Sequence, residues 1–234
     1  MSRERGQRPR VVACLAAGPD GKIATVHGEA ALGSREDRSR LARLRRGADA
    51  IVVGAATIRR EDPPYPPEVT VAVVSRSGRL PVASKLLAGE VRAPRILAVP
   101  EDLALGLLGP LSEVRAAGRL DVLRAGRGGV DIAALLAELG RRGAREVLLE
   151  GGGETLASFL AAGAVDELRL TLVPRLVGGR EAPALVGGGG WSLAEAPRLE
   201  LVEVDRAGGE LFLRYAVLPP APGSPRGRRG DGGD

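Results

Sequence analysis

The stretch EVLLEGGGETLASFL, residues 146–160, decides how this chain folds. An apolar run ends in an acid, three glycines follow, and apolar residues then recur at helical spacing. That order, strand to glycine turn to helix, belongs to an α/β unit. Glycine has no Cβ, so backbone N–H groups can approach a ligand where the helix begins. The first N–H groups of a helix are unpaired and carry partial positive charge, which suits a phosphate or pyrophosphate. Glu150 falls at the carboxyl end of the strand, where open α/β sheets place their ligands.

Outward from this stretch, strand-like and helix-like segments alternate. Apolar runs at 11–16, 48–53, 69–75, 95–99, 120–124, 146–149 and 167–173 predict strands, and the 48–53 run predicts a central one. Residues 34–46, 131–142 and 154–162 predict helices. Ser34 and Asp37 suggest a capping box with Asp in the usual Glu position, and Asp131 is a predicted N-cap. Leu41 and Leu44 share one face of the first helix. After Pro174 come Gly/Pro-rich loops, and then two alternating runs, 198–205 and 210–217, joined by Ala207-Gly208-Gly209, which predict an antiparallel hairpin. The expected fold class is α/β: a mixed, mostly parallel sheet with helices on both faces and a C-terminal antiparallel hairpin. Residues 10–218 form a single domain in this reading. Residues 1–9 and the Pro/Gly/Arg segment 219–234 are expected to be disordered.

Composition excludes several functions. Cys14 is the only cysteine and His27 the only histidine, so a disulfide, a thiolate metal cluster and His-Cys zinc chemistry within one chain are ruled out, and no metal site is expected. The net charge is +5, but four Arg and one Glu lie in residues 1–10, and three Arg and two Asp in 219–234, which leaves the middle close to neutral. Tyr65, Phe159, Trp191, Phe212 and Tyr215 are too scattered for a base-stacking platform. No nucleic-acid partner is expected. No apolar run nears the roughly 20 residues that span a bilayer, and the charged start shows no signal-peptide pattern. The expectation is a cytoplasmic protein without a membrane partner.

GGGETL is not the G-x-G-x-x-G fingerprint, because Leu156 takes the last glycine position. An acid about 20 residues on is also missing, since the next strand runs into Val173-Pro174. The glycines therefore serve either tight strand-to-helix packing or a ligand outside the dinucleotide fold.

Five segments in order carry a resemblance: PDGKIA at 19–24, GADAIVVGAATIRREDP at 47–63, VVSRSGRLP at 73–81, VLLEGGGETLASFL at 147–160 and AVDELRLTLVPRLVGG at 164–179. Together they resemble the RibD C-terminal reductase domain of riboflavin biosynthesis, which has a dihydrofolate-reductase-like fold. The resemblance implies NADPH as cofactor, a small-molecule substrate, 5-amino-6-(5-phosphoribosylamino)uracil, and a homodimer. It implies that Thr57, Glu61 and Asp62 contact NADPH, and that Gly151, Gly152, Gly153, Glu154 and Thr155 cover its pyrophosphate. Ser75, Arg76 and Ser77 fall near the adenosine ribose, where the planar fork of an Arg suits a 2′-phosphate. Glu150 and Arg45 match substrate-contacting positions, with Lys22 in the adjoining turn. Glu150 and Asp20 are the candidate catalytic residues, with the proton coming from Asp20, Glu150 or water.

Each residue also has a structural reading. Asp20-Gly21 is turn chemistry, Thr57 caps a short helix, Arg45 is a solvated helix charge, and Asp166 and Glu167 begin a strand and pair at the surface. His27 belongs to a loop and Cys14 to the core of the first strand. The chain departs from the family pattern on the substrate side. No aromatic lies near Ala31, no basic residue follows Asp62-Pro63, and Gly18-Pro19 replace Ser-Leu. A same-family reductase with a folate-like or secondary-metabolite substrate, or an NADPH-binding module without turnover, are the alternatives.

Overall fold

The computed structural model describes residues 8–218, so the expected disorder at 1–9 and 219–234 falls outside the described residues except at Arg8 and Pro9. Among the described residues, nine strands form one sheet. In chain order they are β1 (Arg10–Ala17), β2 (Ala50–Gly54), β3 (Thr70–Val74), β4 (Arg95–Val99), β5 (Asp121–Arg124), β6 (Glu146–Glu150), β7 (Glu167–Leu172), β8 (Leu199–Ala207) and β9 (Glu210–Val217). Their spatial order is β5-β4-β3-β2-β6-β1-β7-β9-β8. The pairs from β5 to β7 are all parallel, and β7–β9 and β8–β9 are antiparallel. The mixed sheet and closing hairpin match the sequence expectation.

The helices are α1 (Arg35–Gly47), α2 (Ala55–Glu61), α3 (Lys85–Ala88), α4 (Ser112–Ala116), α5 (Ile132–Arg141) and α6 (Gly153–Ala161), with a 3-10 turn at Leu105–Leu111. A parallel sheet must be covered on both faces, because its crossover helices lie there. One face packs Val11, Ala13, Ala50, Val52, Ala72, Ile96, Val147 and Leu149 against Leu135, Leu136 and Leu139 of α5 and Leu156 and Phe159 of α6. The other packs Ile51, Val53, Val71, Val73, Leu97 and Leu148 against Ile58 of α2, Leu86 and Leu87 of α3, and Leu108 and Leu111. Strand side chains alternate between these two cores, as the two-residue period of a strand requires.

Local signals explain the helix starts. Asp131 accepts from the Ala134 N–H at 3.0 Å and caps α5. Ser34 caps α1, its Oγ accepting from the N–H groups of Glu36 and Asp37 at 3.1 and 3.3 Å. The reciprocal bond of the expected capping box goes elsewhere. The Ser34 N–H donates to Oε1 of Glu210, on β9, at 2.7 Å, and the Ser34 hydroxyl donates to Oε2 of the same carboxylate at 2.6 Å. Glu210 is buried and does the work the sequence assigned to Asp37. One other expectation changes. Glu167 is buried and meets Arg10 at 2.5 Å and Arg169 at 2.6 Å; only Asp166 pairs near the surface, with Arg8. Cys14 packs against the second core cluster, as expected, and is half-buried there.

Candidate active site

Strands β3, β2, β6 and β1 lie side by side and run parallel, so their carboxyl ends share one edge of the sheet. This arrangement collects the segments that the sequence marked separately. The Ser75–Ser77 turn follows β3, Gly54 and α2 follow β2, the glycine run follows β6, and the Gly18–Lys22 turn follows β1. The sheet's two directions of growth also meet here. The chain adds β2 to β5 outward and then returns to insert β6 between β2 and β1, a switch of the kind that opens a ligand crevice.

The three glycines have different duties. A Cβ on Gly151 would lie 2.9 Å from Cβ of Thr155. One on Gly153 would press into the carbonyl of Ala184 and come within 2.8 Å of the Gly187 nitrogen. Around Gly152, the N-cap of α6, there is open space. Its φ of −68° is accessible to any residue. Packing therefore requires glycine at 151 and 153, while at 152 the space over the helix N-terminus stays free. Gly54, at the head of α2, faces this turn: a Cβ there would sit 2.6 Å from Oγ1 of Thr155. Two strand-to-helix turns thus lie in contact, and an open cradle of this kind fits a pyrophosphate.

The second half of the site lies under α1. On the α5–α6 side of β1, Val11, Ala13 and Leu15 are sealed. On the α1 side, Cys14 and Ala16 are only half-buried, although β1 is a central strand, and α1 itself has no buried residue. A cleft therefore opens between α1 and the carboxyl halves of β6, β1 and β7. The register puts Glu150 next to Cys14 at one side and Thr171 beside Ala16 at the other. Glu150 is bound bidentately by Arg45 of α1, with Nε to Oε1 at 2.7 Å and Nη2 to Oε2 at 2.5 Å. Arg45 also donates to the Pro64 carbonyl at 3.1 Å, and its guanidinium stacks on the Tyr65 ring, 4.9 Å from the centroid. The Tyr65 hydroxyl is buried beside this pair and has no hydrogen-bond partner among the described residues. An unpaired buried hydroxyl is costly, and a bound ligand would relieve it.

At the other end of the cleft stands Asp37. Burial holds its carboxyl above the ordinary aspartate range, the Thr171 hydroxyl opposes that shift, and the nearby charge of Glu210 adds to it. Cys14 lies between the two acids. Its thiol is pushed up to about 12, first by desolvation and then by the charges of Glu150 and Asp37.

The remaining sequence candidates occupy varied places. Thr57 is the third residue of α2, whose N-cap is Gly54, and its side chain caps nothing. Desolvation holds the Glu61 carboxyl above its usual range, and the charges of Arg45 and Glu150 both reach it. Asp62 has φ +42°, the only positive value among the described non-glycine residues, and its carboxylate accepts from the Lys85 N–H at 2.9 Å. Ser75 is buried, Arg76 is exposed, and Ser77 accepts from the Arg79 N–H. Asp20 does not meet Glu150. Its carboxylate accepts from the N–H groups of Val177 and Gly178 at 3.0 and 2.6 Å, and these bonds hold it below the ordinary range. Lys22 Nζ is engaged by the Ala182 carbonyl at 2.7 Å, and Glu154 by the Gly188 N–H at 3.0 Å. Asp20, Lys22 and Glu154 thus pin one strap, residues 177–188, across the ends of β1 and β6. Sequence reasoning passed over this strap as Gly/Pro loop. It also passed over Tyr65 and Thr171, although a threonine in the buried run ELRLTL was a usable signal.

Comparison with known proteins places this geometry. A model of the RibD C-terminal domain matches residues 9–213. The 2,5-diamino-6-ribosylamino-4(3H)-pyrimidinone 5′-phosphate reductase of Methanothermobacter thermautotrophicus is 36% identical over 220 residues, covering 90% of this chain and 99% of that protein. A pyrimidine reductase-like protein from Corynebacterium diphtheriae superposes with a TM-score of 0.77 at 23% identity, over 90% of this chain and 92% of the other. Dihydrofolate reductase from Enterococcus faecalis shares the fold at a TM-score of 0.50 and 13% identity, over 89% and 96%.

The cradle geometry separates two glycines by experiment. Gly153→Ala should cost about 1–3 kcal/mol through overpacking. Gly152→Ala should leave the denaturation midpoint nearly unchanged. Equal midpoints for the two variants would contradict the assignment of packing to 153 and open space to 152.

Proposed function

The chain belongs to the RibD C-terminal domain family, and from that premise we propose that it is an NADPH-dependent reductase of a ribosylaminopyrimidine 5′-phosphate in riboflavin biosynthesis. The observation that carries the reading is whole-length similarity to a reductase named for such a compound, in a chain that keeps both the glycine cradle and the Arg45–Glu150 cleft. The resemblance in sequence implied the deaminated uracil compound; the relative is named for the 2,5-diamino one. Both belong to the proposed substrate class.

NADPH, when bound, supplies the hydride. Gly151, Gly152 and Gly153 would hold its pyrophosphate at the head of α6, with Thr57 and Thr155 at the neighbouring turn. Arg76 is exposed and makes no hydrogen bond among the described residues, so it is free to meet a 2′-phosphate after β3. The protein's own contribution is placement. Arg45 fixes both oxygens of Glu150, which leaves their outer lone pairs for substrate N–H or O–H groups. The strap shields the edge between β1 and β6 from water. Asp20 stays ionised and committed to the strap, so the proton reaches the reduced centre from water or through Glu150 rather than from Asp20.

A second reading is a folate-like substrate, favoured by the absence of a cation in the segment after Asp62. We also propose a homodimer. Strand β8 is an edge strand that exposes Leu199, Leu201, Val202 and Val204, and an apolar edge of this length invites pairing with another chain. A monomer in analytical ultracentrifugation would remove that proposal.

Purified protein should oxidise NADPH with the diamino or the deaminated ribosylaminopyrimidine phosphate and not with dihydrofolate; turnover of dihydrofolate alone would overturn the riboflavin assignment. Glu150→Gln should lower kcat at least about 100-fold, the size of a general acid–base or positioning effect, with little change in NADPH affinity. Equal loss of both would move Glu150 to the cofactor site or the fold. Arg76→Ala should weaken NADPH about 10-fold or more relative to NADH, as expected for a charge-assisted phosphate contact. An unchanged ratio would remove Arg76 from that role.

A further inference from the structure

One buried polar group beside the cleft is left over. The Tyr65 hydroxyl is enclosed and has no hydrogen-bond partner among the described residues. A group of this kind ordinarily shifts until it finds a partner, because an unmade bond away from water is costly. The backbone denies Tyr65 that relaxation. Pro63, Pro64, Pro66 and Pro67 surround it, and each fixes its own φ and restricts the residue before it. The segment is also pinned along its length. Asp62 accepts from the Lys85 N–H at 2.9 Å, and the Pro64 carbonyl accepts from Arg45 at 3.1 Å. The Pro66 carbonyl accepts from Nη2 of Arg95 and from the Val69 N–H, both at 3.3 Å, and that of Pro67 from the N–H groups of Arg92 and Ala93 at 3.0 and 2.9 Å. The Arg45 guanidinium lies over the ring. The hydroxyl is thus held in one place with its bond unmade.

The surroundings indicate what completes that bond. Among nearby charges, Glu150 bears on the phenol most strongly, followed by Arg45, Glu61 and Asp62, so the hydroxyl belongs to the Arg45–Glu150 end of the cleft. Burial first, and then the acids, push the phenol above its ordinary range, so it stays protonated and keeps its donor. Ionised carboxylates can only accept. The cations beside them are engaged: the three nitrogens of Arg45 serve Glu150 and Pro64, and Lys22 serves the strap. Acceptors are therefore in surplus at this end, and Tyr65 supplies an uncommitted donor. A ribosylaminopyrimidine divides along the same line. The N–H groups of its ring suit the outer lone pairs of Glu150, and the oxygens of its sugar need donors.

We propose that the Tyr65 hydroxyl binds substrate, donating a hydrogen bond to an oxygen of the ribosyl group while the ring lies on the Glu150 side. This deepens the reductase reading and rests on it. Because the hydroxyl is enclosed, the substrate must displace side chains to reach it, while the anchored proline segment holds the donor still. A donor fixed in advance loses little freedom on binding. A site built around a substrate oxygen also discriminates more sharply than an apolar wall does.

Tyr65→Phe removes the oxygen and keeps the ring beneath Arg45. The test measures kcat/KM for the 2,5-diamino ribosylaminopyrimidine phosphate, NADPH affinity, melting temperature, and inhibition by two fragments of the substrate, ribose 5-phosphate and 2,5,6-triamino-4(3H)-pyrimidinone. In the variant kcat/KM should fall about 5- to 10-fold, the size of a hydrogen bond between neutral groups. Ribose 5-phosphate should inhibit more weakly by a similar factor, while inhibition by the ring fragment and NADPH affinity stay unchanged. The melting temperature should hold or rise, since an unsatisfied buried hydroxyl has gone. An unchanged kcat/KM would overturn the assignment. So would weakened inhibition by the ring fragment instead of the sugar phosphate, or a wild type that ribose 5-phosphate does not inhibit. A lower melting temperature with equal losses of substrate and NADPH would make Tyr65 a structural residue and overturn it as well. Wild type inactive on both the diamino and the deaminated compound would instead overturn the reductase reading, and the Tyr65 proposal with it.

Discussion

The site depends on one ion pair, Arg45 with Glu150. A carboxylate at the end of a central buried strand cannot be left alone in an apolar surrounding. A bidentate guanidinium from the facing helix satisfies it with fixed geometry. Such a pair adds little net stability compared with apolar packing, but leaving either charge unpaired is expensive. It therefore acts as a positional constraint. It sets how α1 lies over the sheet, holds the segment around Pro64, and places the Tyr65 ring under the guanidinium. The same helix carries Asp37, so fixing Arg45 also fixes the far end of the cleft.

The carboxyl edge divides its labour between backbone and side chains. On the β3–β2–β6 side the features are glycines, helix heads and an exposed arginine, whose N–H groups and charge suit a phosphate. On the β6–β1–β7 side they are carboxylates, a hydroxyl and an arginine, which suit a small molecule rich in hydrogen-bond donors and acceptors. Glu150 and the glycines that follow it are consecutive in the chain, so one strand end serves both halves. The strap of residues 177–188 crosses that junction. It is held by Asp20, Lys22 and Glu154, and its close approach to α6 is possible because residue 153 lacks a Cβ.

Much of this was legible from the chain alone, for physical reasons. Strands buried on both faces are continuous apolar runs, so β2, β4 and β6 announced themselves, and Ser34 and Asp131 marked helix starts through their oxygens. Element ends moved by a residue or two, because propensity changes gradually while hydrogen bonding ends at a particular residue. The candidate site was legible as motifs but not as contacts. Whether Arg45 was solvated or paired turned on a partner 105 positions away. Asp20, Lys22 and Glu154 have side chains suited to ligands, and only tertiary structure showed them bound to a strap. Asp37 was hidden for the opposite reason. Local spacing explained it fully as a cap, and only Glu210, arriving from β9, left it without that role.

A crystal structure of the protein with NADP⁺ and the 2,5-diamino ribosylaminopyrimidine phosphate tests the central claim most directly. The account predicts the pyrophosphate over Gly152 at the head of α6, and the ring in the cleft under α1 beside the Arg45–Glu150 pair. A nucleotide bound away from the glycine turn, or a ring lying outside the space above Cys14 and Ala16, would contradict it.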